Sequence, residues 1–444
     1  MRTILQTAFI SALLNFLSGL IIAQPPRIGG YNVYYGNLHN HCEYSDGKGK
    51  VSDAYYTAKN IAGFDFFGLT DHAEMLTFSE WNSIKNTSDA FNEDGVFTAL
   101  WGFEWSSVTD GHLLVIGSEN YASSLSILTN TFGKLNKWLN DHECVAFLNH
   151  PGDFDALNNE FLHFNTTVSD KVAGMELWNG NTGFERYYYN NGYNLNDGGL
   201  GFYDEALKRN WKTGAAGAED NHSATWGAVQ YRLAILANGL TRDSMMSAMH
   251  KRRFYSTLDR NIEMSFTINN SEMGSTLDPG SYTGEILLHD ADDEVFTEIE
   301  VIYNGALYET FSVSSREPEI TFPVNAGKLS YFYIIATQED GDKAISSPIF
   351  FNNNDFTGLF EESDHGSDII IEYTGSGIPG IKLQEYHSDL TLAITDIYGR
   401  VICSLPCKAG TITFLPADNF SKGIYIIYFV QHPELGSYKV SMGL

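Results

Sequence analysis

Positive charge is scarce in this chain. Lys and Arg number 27 against 55 Asp and Glu, a formal net charge of -28 over 444 residues. A surface that acidic repels nucleic acid and anionic membrane, so charge steering argues against both as partners. It also repels a phosphorylated substrate at long range, so local positive charge such as bound metal ions must capture one. Cysteine is scarce too: there are four, with no C-x-x-C spacing, which leaves no thiolate cage for a structural zinc. Cys403 and Cys407 are close enough in sequence to pair, and Cys42 and Cys144 can pair or stay as buried thiols. After residue 23 no apolar stretch is long enough to span a bilayer. What is present is 43% hydrophobic and 14% aromatic residues. That is enough for sizeable cores, and the length fits two to four domains. Residues 1–23 read as a signal peptide. Arg2 supplies a positive start, the apolar run is interrupted by Gln6, Ser11, Asn15 and Ser18, and Ala23 is small.

From Tyr31 to about Arg260, apolar strand-like runs keep ending in polar, ligand-type residues. Residues 31–35 lead into His39-Asn40-His41, residues 64–69 into Thr70-Asp71-His72, and residues 96–103 into Glu104. His112 opens an apolar run. Residues 144–148 lead into Asn149-His150-Pro151, and residues 213–217 into Glu219-Asp220-Asn221-His222. Helix-like stretches at 51–62, 123–140 and 201–210 lie between. Strand then helix, repeated, predicts a parallel α/β arrangement with its chemistry at the carboxyl ends of the strands. Residues 262–351 change texture to short alternating strands, an immunoglobulin-like β-sandwich in size. Residues 352–368 are polar and read as a linker. Residues 369–444 hold further strand candidates, a small all-β module.

Alternation along a strand puts His39 and His41 on one side, where two imidazoles can chelate one ion. Asp46 can swing back from the following loop as an oxygen ligand. With His72, Glu104, His112, His150, Asp220 and His222 these make nine nitrogen or oxygen donors and no thiolate, a set suited to Zn, Mn or Fe(II). Singly, each has an ordinary explanation as a strand-end or core residue. Jointly they do not, because six of only 13 histidines stand at expected strand ends in one region. Nine donors exceed one ion's needs, so two or three divalent ions sharing a carboxylate are expected, with Glu104 as the bridge.

The ordered set His39-Asn40-His41 with Ser45-Asp46-Gly47, Leu69-Thr70-Asp71-His72, Phe103-Glu104, Gly111-His112, Asn149-His150-Pro151 and Asp220-Asn221-His222 resembles the PHP (polymerase and histidinol phosphatase) superfamily over residues 28–260. The resemblance implies a distorted (β/α)7 barrel holding two or three metal ions, and in most members phosphoesterase activity. It implies one ion on His39, His41, Glu104 and Asp220. A second would lie on Asp46, His72 and His222, and a third on Glu104, His112 and His150. Asp46 stands where many relatives have histidine, as in a stand-alone branch that also resembles carbaryl-hydrolase-like metallohydrolases. Residues Leu392–Arg400, Asn419–Ile426 and Tyr438–Ser441 resemble the sorting domain of the type IX secretion system of Bacteroidetes, which implies secretion machinery as a partner and an exported, cell-surface or extracellular location.

The sequence thus reads as an exported, multinuclear metal-dependent hydrolase of a small-molecule ester, with a metal-bridging hydroxide as the expected nucleophile. Glu104 and Asp220 are its catalytic candidates. A phosphoester is the first expectation. A carboxylic or carbamic ester or amide, and a non-catalytic surface binding protein, are the alternatives. Arg252 and Arg253 are candidate phosphate contacts, against the plainer reading of ordinary surface charge. Deleting residues from about 365 onward should leave hydrolysis intact but strand the protein in the periplasm. Fractionation of cells expressing both forms checks this, and normal surface display of the truncated form would refute the sorting role.

Overall fold

The computed structural model describes residues 25–152, 160–164, 168–180, 201–292 and 294–352, and in the C-terminal part 369–373, 379–383, 390–396, 400–408, 412–414, 423–430 and 437–442. The expected signal peptide, the expected linker from 353 onward and residues 397–399 and 419–422 of the sorting motif lie outside the described residues. Two compact units result: residues 1–161 with 169–352, and residues 162–168 with 353–444.

The first unit is built on a long, curled, mixed sheet. Its first ten strands are β1 (Arg27–Ile28), β2 (Tyr31–Asn37), β3 (Phe66–Leu69), β4 (Thr98–Ser107), β5 (Gly111–Ile116), β6 (Val145–Asn149), β7 (Val172–Asn179), β8 (Gly214–Ala218), β9 (Arg232–Ala237) and β10 (Phe254–Thr257). The order across the sheet is β10-β9-β2-β3-β4-β5-β6-β7-β8, with β1 on β2. Neighbours β2/β3, β3/β4, β6/β7 and β7/β8 are parallel. β5 runs antiparallel to both β4 and β6, and β9 and β10 are antiparallel as well. A regular strand–helix alternation is therefore interrupted at β5. Only Val108, Thr109 and Asp110 separate β4 from β5, too few for a crossover helix. Gly111, at φ 91°, accepts the left-handed backbone this turn requires. The sheet curls until β8 meets β10: a Cβ on Gly214 would strike Phe254, and one on Gly217 would strike Ser256 Oγ. Tyr34, Phe66, Leu100, Leu114, Phe147, Ala216, Leu233 and Phe254 fill the enclosed core.

Among the described residues five α-helices accompany these strands: α1 (Val51–Asn60), α2 (Phe78–Phe91), α3 (Phe132–Asn140), α4 (Phe202–Lys208) and α5 (Arg242–His250). α2 starts at a capping box, in which Thr77 and Glu80 satisfy each other's backbone N–H. Helix was expected from residue 123, but it begins only at Phe132. Thr131 accepts from Lys134 N as its cap, and residues 123–131 form turns.

The β-rich region 263–351 continues the same sheet. Its strands are β11 (Glu263–Ile268), β12 (Ser271–Glu272), β13 (Thr276–Leu277), β14 (Gly280–His289), β15 (Phe296–Tyr303), β16 (Ala306–Ser315), β17 (Glu319–Ala326), β18 (Ser330–Gln338), β19 (Lys343–Ser346) and β20 (Ile349–Phe351). One layer is β12-β11-β14-β17. The facing layer, built on β15, β16, β18, β19 and β20, joins the curled sheet where β19 pairs with β10. Phe266, Ile286, Phe322, Val324, Phe332 and Ile334 pack between the layers. The second unit holds a three-stranded and a four-stranded antiparallel sheet, the latter from Leu390–Asp396, Val401–Cys407, Gly423–Phe429 and Ser437–Met442.

All four cysteines are free thiols. Cys403 and Cys407 lie four residues apart on one extended strand, opposite Ile394 and Leu390, a spacing of about 13 Å that no disulfide spans. Cys42 instead donates to Asp71 Oδ2 at 3.0 Å.

Asp65, just before β3, is pushed up to about 6 by burial, although Tyr35 N–H donates to it at 2.7 Å. A folded-state pKa above the unfolded value means that charging this group opposes folding. Its penalty is absent below about pH 4, grows as pH rises toward 6, and is complete above that. Asp65→Asn keeps the acceptor and removes the charge. Between pH 4 and 7 the variant should gain on the order of 2 kcal/mol relative to wild type. Urea unfolding at both pH values measures it, and identical pH profiles would contradict the assignment.

Candidate metal centre

The nine donors gather at one end of the curled sheet because chain direction and side-chain alternation put them there. His39 and His41 follow β2, His72 follows β3, Glu104 lies in β4, His150 follows β6, and Asp220 and His222 follow β8. His112 is near the start of β5, and because β5 is antiparallel its start lies beside the ends of the others. Backbone hydrogen bonds stitch these strand extensions together: His41 N to Asn221 O at 3.0 Å, Asp220 N to His39 O at 3.0 Å, and Ala73 N to Glu104 O at 2.8 Å. The loop carrying Asp46 folds back over His41. A Cβ on Gly47 would lie 2.7 Å from the His41 carbonyl carbon, so this close approach needs glycine.

Glu104 sits at the hub, 1% exposed. Its Oε1 is 3.3 Å from His39 Nε2, 3.2 Å from His112 Nδ1 and 3.3 Å from His150 Nε2, while its Oε2 is 2.9 Å from His72 Nδ1 and 3.5 Å from His41 Nε2. Asp220 Oδ1 is 3.2 Å from His41 Nε2 and 3.4 Å from both His39 Nε2 and His222 Nδ1. Asp46 reaches His222 at 3.2 Å and His72 at 3.5 Å. Donor atoms converge in three groups: His41, Asp46, His72 and His222; His39, Glu104 and His150; and His39, His41 and Asp220. His112 adjoins the second through Glu104. The structure thus brings all nine sequence-derived donors together.

The donor set fits metal ions. Glu104 Oε2 and Asp220 Oδ1 are buried and make no hydrogen bond of ordinary geometry, an arrangement that is costly without a cation. The Nε2 atoms of His39 and His41 face each other at 3.1 Å, as two lone pairs converging on one ion do. His150 and Asp220 hold positive φ, 28° and 49°, a backbone strain that clusters at functional sites. The electrostatics agree. Burial opposes ionising Glu104, yet His39, His112 and His72 hold its carboxyl well below the ordinary range. Asp46 is held low by His222 and His72. Burial disfavours charge on His72 and His150, but Glu104 and its neighbours lift them to about 10 and about 9. Protons on these imidazoles hold the place that cations would take, and metal binding displaces them.

Two residues outside the nine expected donors matter here. Glu176, in the middle of the fully buried β7, contacts His39 Nδ1 at 2.7 Å. Asn149 donates to Glu104 Oε1 at 2.8 Å. A lone acid inside an otherwise apolar parallel strand was the available signal for Glu176. Arg252 and Arg253 are not brought to this centre. The Arg252 guanidinium caps the carbonyls of Lys212, Asp170 and Val172, at the beginnings of β7 and β8, and Arg253 lies over the Tyr31 ring at 4.4 Å.

A curled α/β sheet with a multidentate nitrogen–oxygen centre at its strand ends is the class of molecule defined so far. Residues 60–143 match the family model described as protein of unknown function (DUF3604). An uncharacterized protein of Chlamydia trachomatis serovar D is 24% identical over 363 residues, covering 73% of this chain and 58% of that protein. One of Chlamydia muridarum is 24% identical over 360 residues with the same coverage. The chain thus spans less than two thirds of the length of these relatives. A crystal structure of a two-domain protein containing a predicted PHP-like metal-dependent phosphoesterase from Bacteroides vulgatus aligns with a TM-score of 0.42 at 13% identity, covering 74% of this chain and 98% of that one.

Glu104→Gln keeps the shape but offers one good acceptor oxygen and no charge. It should lower occupancy of at least two ions together, whereas His150→Ala should weaken mainly one. Elemental analysis of both variants, with circular dichroism to confirm folding, reads this out. Wild-type metal content in the Glu104 variant would refute the bridging role.

Proposed function

We propose that this chain is a multinuclear metal-dependent hydrolase acting on a small phosphoester. The observation that carries the reading is the pair of buried carboxylates, Glu104 and Asp220. Each keeps an unbonded oxygen turned toward imidazole nitrogens, and the donor groups around them share ligands. Divalent ions, when bound, supply Lewis acidity and lower the pKa of water toward neutrality. His39, His41 and Asp220, with Glu104, would hold one. Asp46, His72 and His222 would hold a second, and Glu104, His112 and His150 a third. Asp46 is half exposed and His72, His112 and His222 partly so, so the Asp46–His112 side is open to water and substrate while His39 and Glu104 anchor the buried side. A small recess beside His112 and His150 is lined by Ser107, Thr109, Gly111 and Glu160.

One observation favours the second reading, a carboxylic or carbamic ester. Among the described hydrogen bonds and ion pairs none joins a Lys or Arg to the nine donors, so of these residues none would share with the ions the task of meeting phosphate charge. Export and surface display are proposed from residues 1–23 and the C-terminal motifs alone. No helix among the described residues is long and apolar enough to cross a membrane.

Protein purified without chelator and supplied with Mn(II), Zn(II) or Fe(II) should hydrolyse p-nitrophenyl phosphate or bis(p-nitrophenyl) phosphate, and EDTA should abolish the activity. Turnover of p-nitrophenyl acetate alone, still sensitive to EDTA, would favour the second reading. Hydrolysis indifferent to chelator would contradict both.

A further inference from the structure

We infer that Glu176 is a positioning residue that presets three of the metal ligands, an inference that rests on the metal-centre reading above. The side chain is 2% exposed, and both of its oxygens are used. Oε1 lies 2.7 Å from His39 Nδ1. Oε2 accepts from His150 N–H at 3.0 Å and from Asn179 Nδ2 at 3.0 Å, and the same Asn179 amide also reaches Asp220 Oδ2 at 3.2 Å. One carboxylate therefore touches His39 through its ring, His150 through its backbone and Asp220 through Asn179, three ligands from three different strands.

Each contact has a consequence. An ionised carboxylate only accepts, so His39 Nδ1 must carry the proton. In the neutral ring Nε2 is then bare. That atom points into the centre, 3.1 Å from His41 Nε2, 3.3 Å from Glu104 Oε1 and 3.4 Å from Asp220 Oδ1. A carboxylate behind a ligating imidazole fixes its ring plane and raises its basicity. At His150 the N–H bond pins a residue whose φ of 28° few non-glycine residues adopt. At Asp220 the Asn179 amide takes Oδ2 and leaves Oδ1 for the centre. His39 belongs to two of the three donor groups, whereas none of His41, Asp46, His72 and His222 contacts Glu176 among the described hydrogen bonds. Glu176 thus governs part of the centre and leaves the Asp46 group alone.

Glu176→Gln tests this in the full chain. An amide keeps the volume, but its single oxygen can accept from His39 or from His150, not both, and its NH2 then faces a donor. Zn(II) affinity, measured by competition with a chromophoric chelator, should fall roughly 10- to 100-fold for part of the bound metal. The fraction held by the Asp46 group should keep wild-type affinity, and circular dichroism should be unchanged. In zinc-loaded wild type, 15N spectroscopy of the imidazoles should show His39 protonated at Nδ1. This second measurement does not depend on how the variant folds. Wild-type affinity for every ion in Glu176→Gln, or an Nε2–H tautomer at His39, would overturn the inference while leaving the metal centre standing. A wild-type protein that binds no zinc would overturn both.

Discussion

Buried negative charge that, among the described residues, no Lys or Arg neutralises is the constraint around which this end of the protein is arranged. Glu104, Glu176 and Asp220 are each almost fully buried. Burying an ionised carboxylate costs far more than any single hydrogen bond returns unless a cation compensates it. The groups facing these three are imidazoles and the amides of Asn149 and Asn179. Imidazoles can answer the charge in two ways, by holding protons or by presenting lone pairs to metal ions. A proton shared between rings can bring two Nε2 atoms to 3.1 Å, but it leaves the carboxylate oxygens beside them without hydrogen bonds, whereas an ion answers both.

The fold serves that constraint. Parallel strands deliver their carboxyl ends to one rim, where loops are free to carry polar groups. The one antiparallel strand inside this set, β5, delivers its amino end to the same rim, so His112 arrives there by the opposite route. Some of the backbone strain falls on the rim as well. His150 and Asp220 adopt left-handed backbone beside fully paired strands, and the hydrogen bonds from His150 N to Glu176 and from Asp220 N to His39 O hold them there.

Much of the centre was legible because its residues stand at predictable places. Strand alternation alone pairs His39 with His41, and the repeated change from apolar run to donor marks His72, Glu104, His150 and Asp220. The reversal of β5 was not legible. The strand end at Ser107 and the start at Gly111 are not marked in the sequence, so the shortness of the connection that excludes a crossover did not show, and a parallel alternation was expected where the sheet is mixed. Nor did the sequence show that region 263–351 shares a sheet with the strands before it, since the β19–β10 pairing joins residues about 90 apart. Glu176 left one signal, a single acid within Val-Ala-Gly-Met-Glu-Leu-Trp-Asn, but it stands inside the strand and not at its end, where the other donors were sought. Arg252 and Arg253 misled for the opposite reason. Adjacent basic residues suggest anion binding, but a guanidinium serves equally well to cap free carbonyls at strand beginnings, as Arg252 does.

The central claim is that the buried carboxylates and imidazoles exist to hold ions rather than one another. Anomalous diffraction from crystals grown with Mn(II) or Zn(II), collected above and below the metal edge, tests it most directly. The account predicts at least two anomalous peaks: one within coordination distance of His39, His41 and Asp220, about 2.0–2.2 Å for zinc, and another among Asp46, His72 and His222. A featureless anomalous map at saturating metal, with the imidazoles hydrogen-bonded to Glu104 and Asp220, would contradict it.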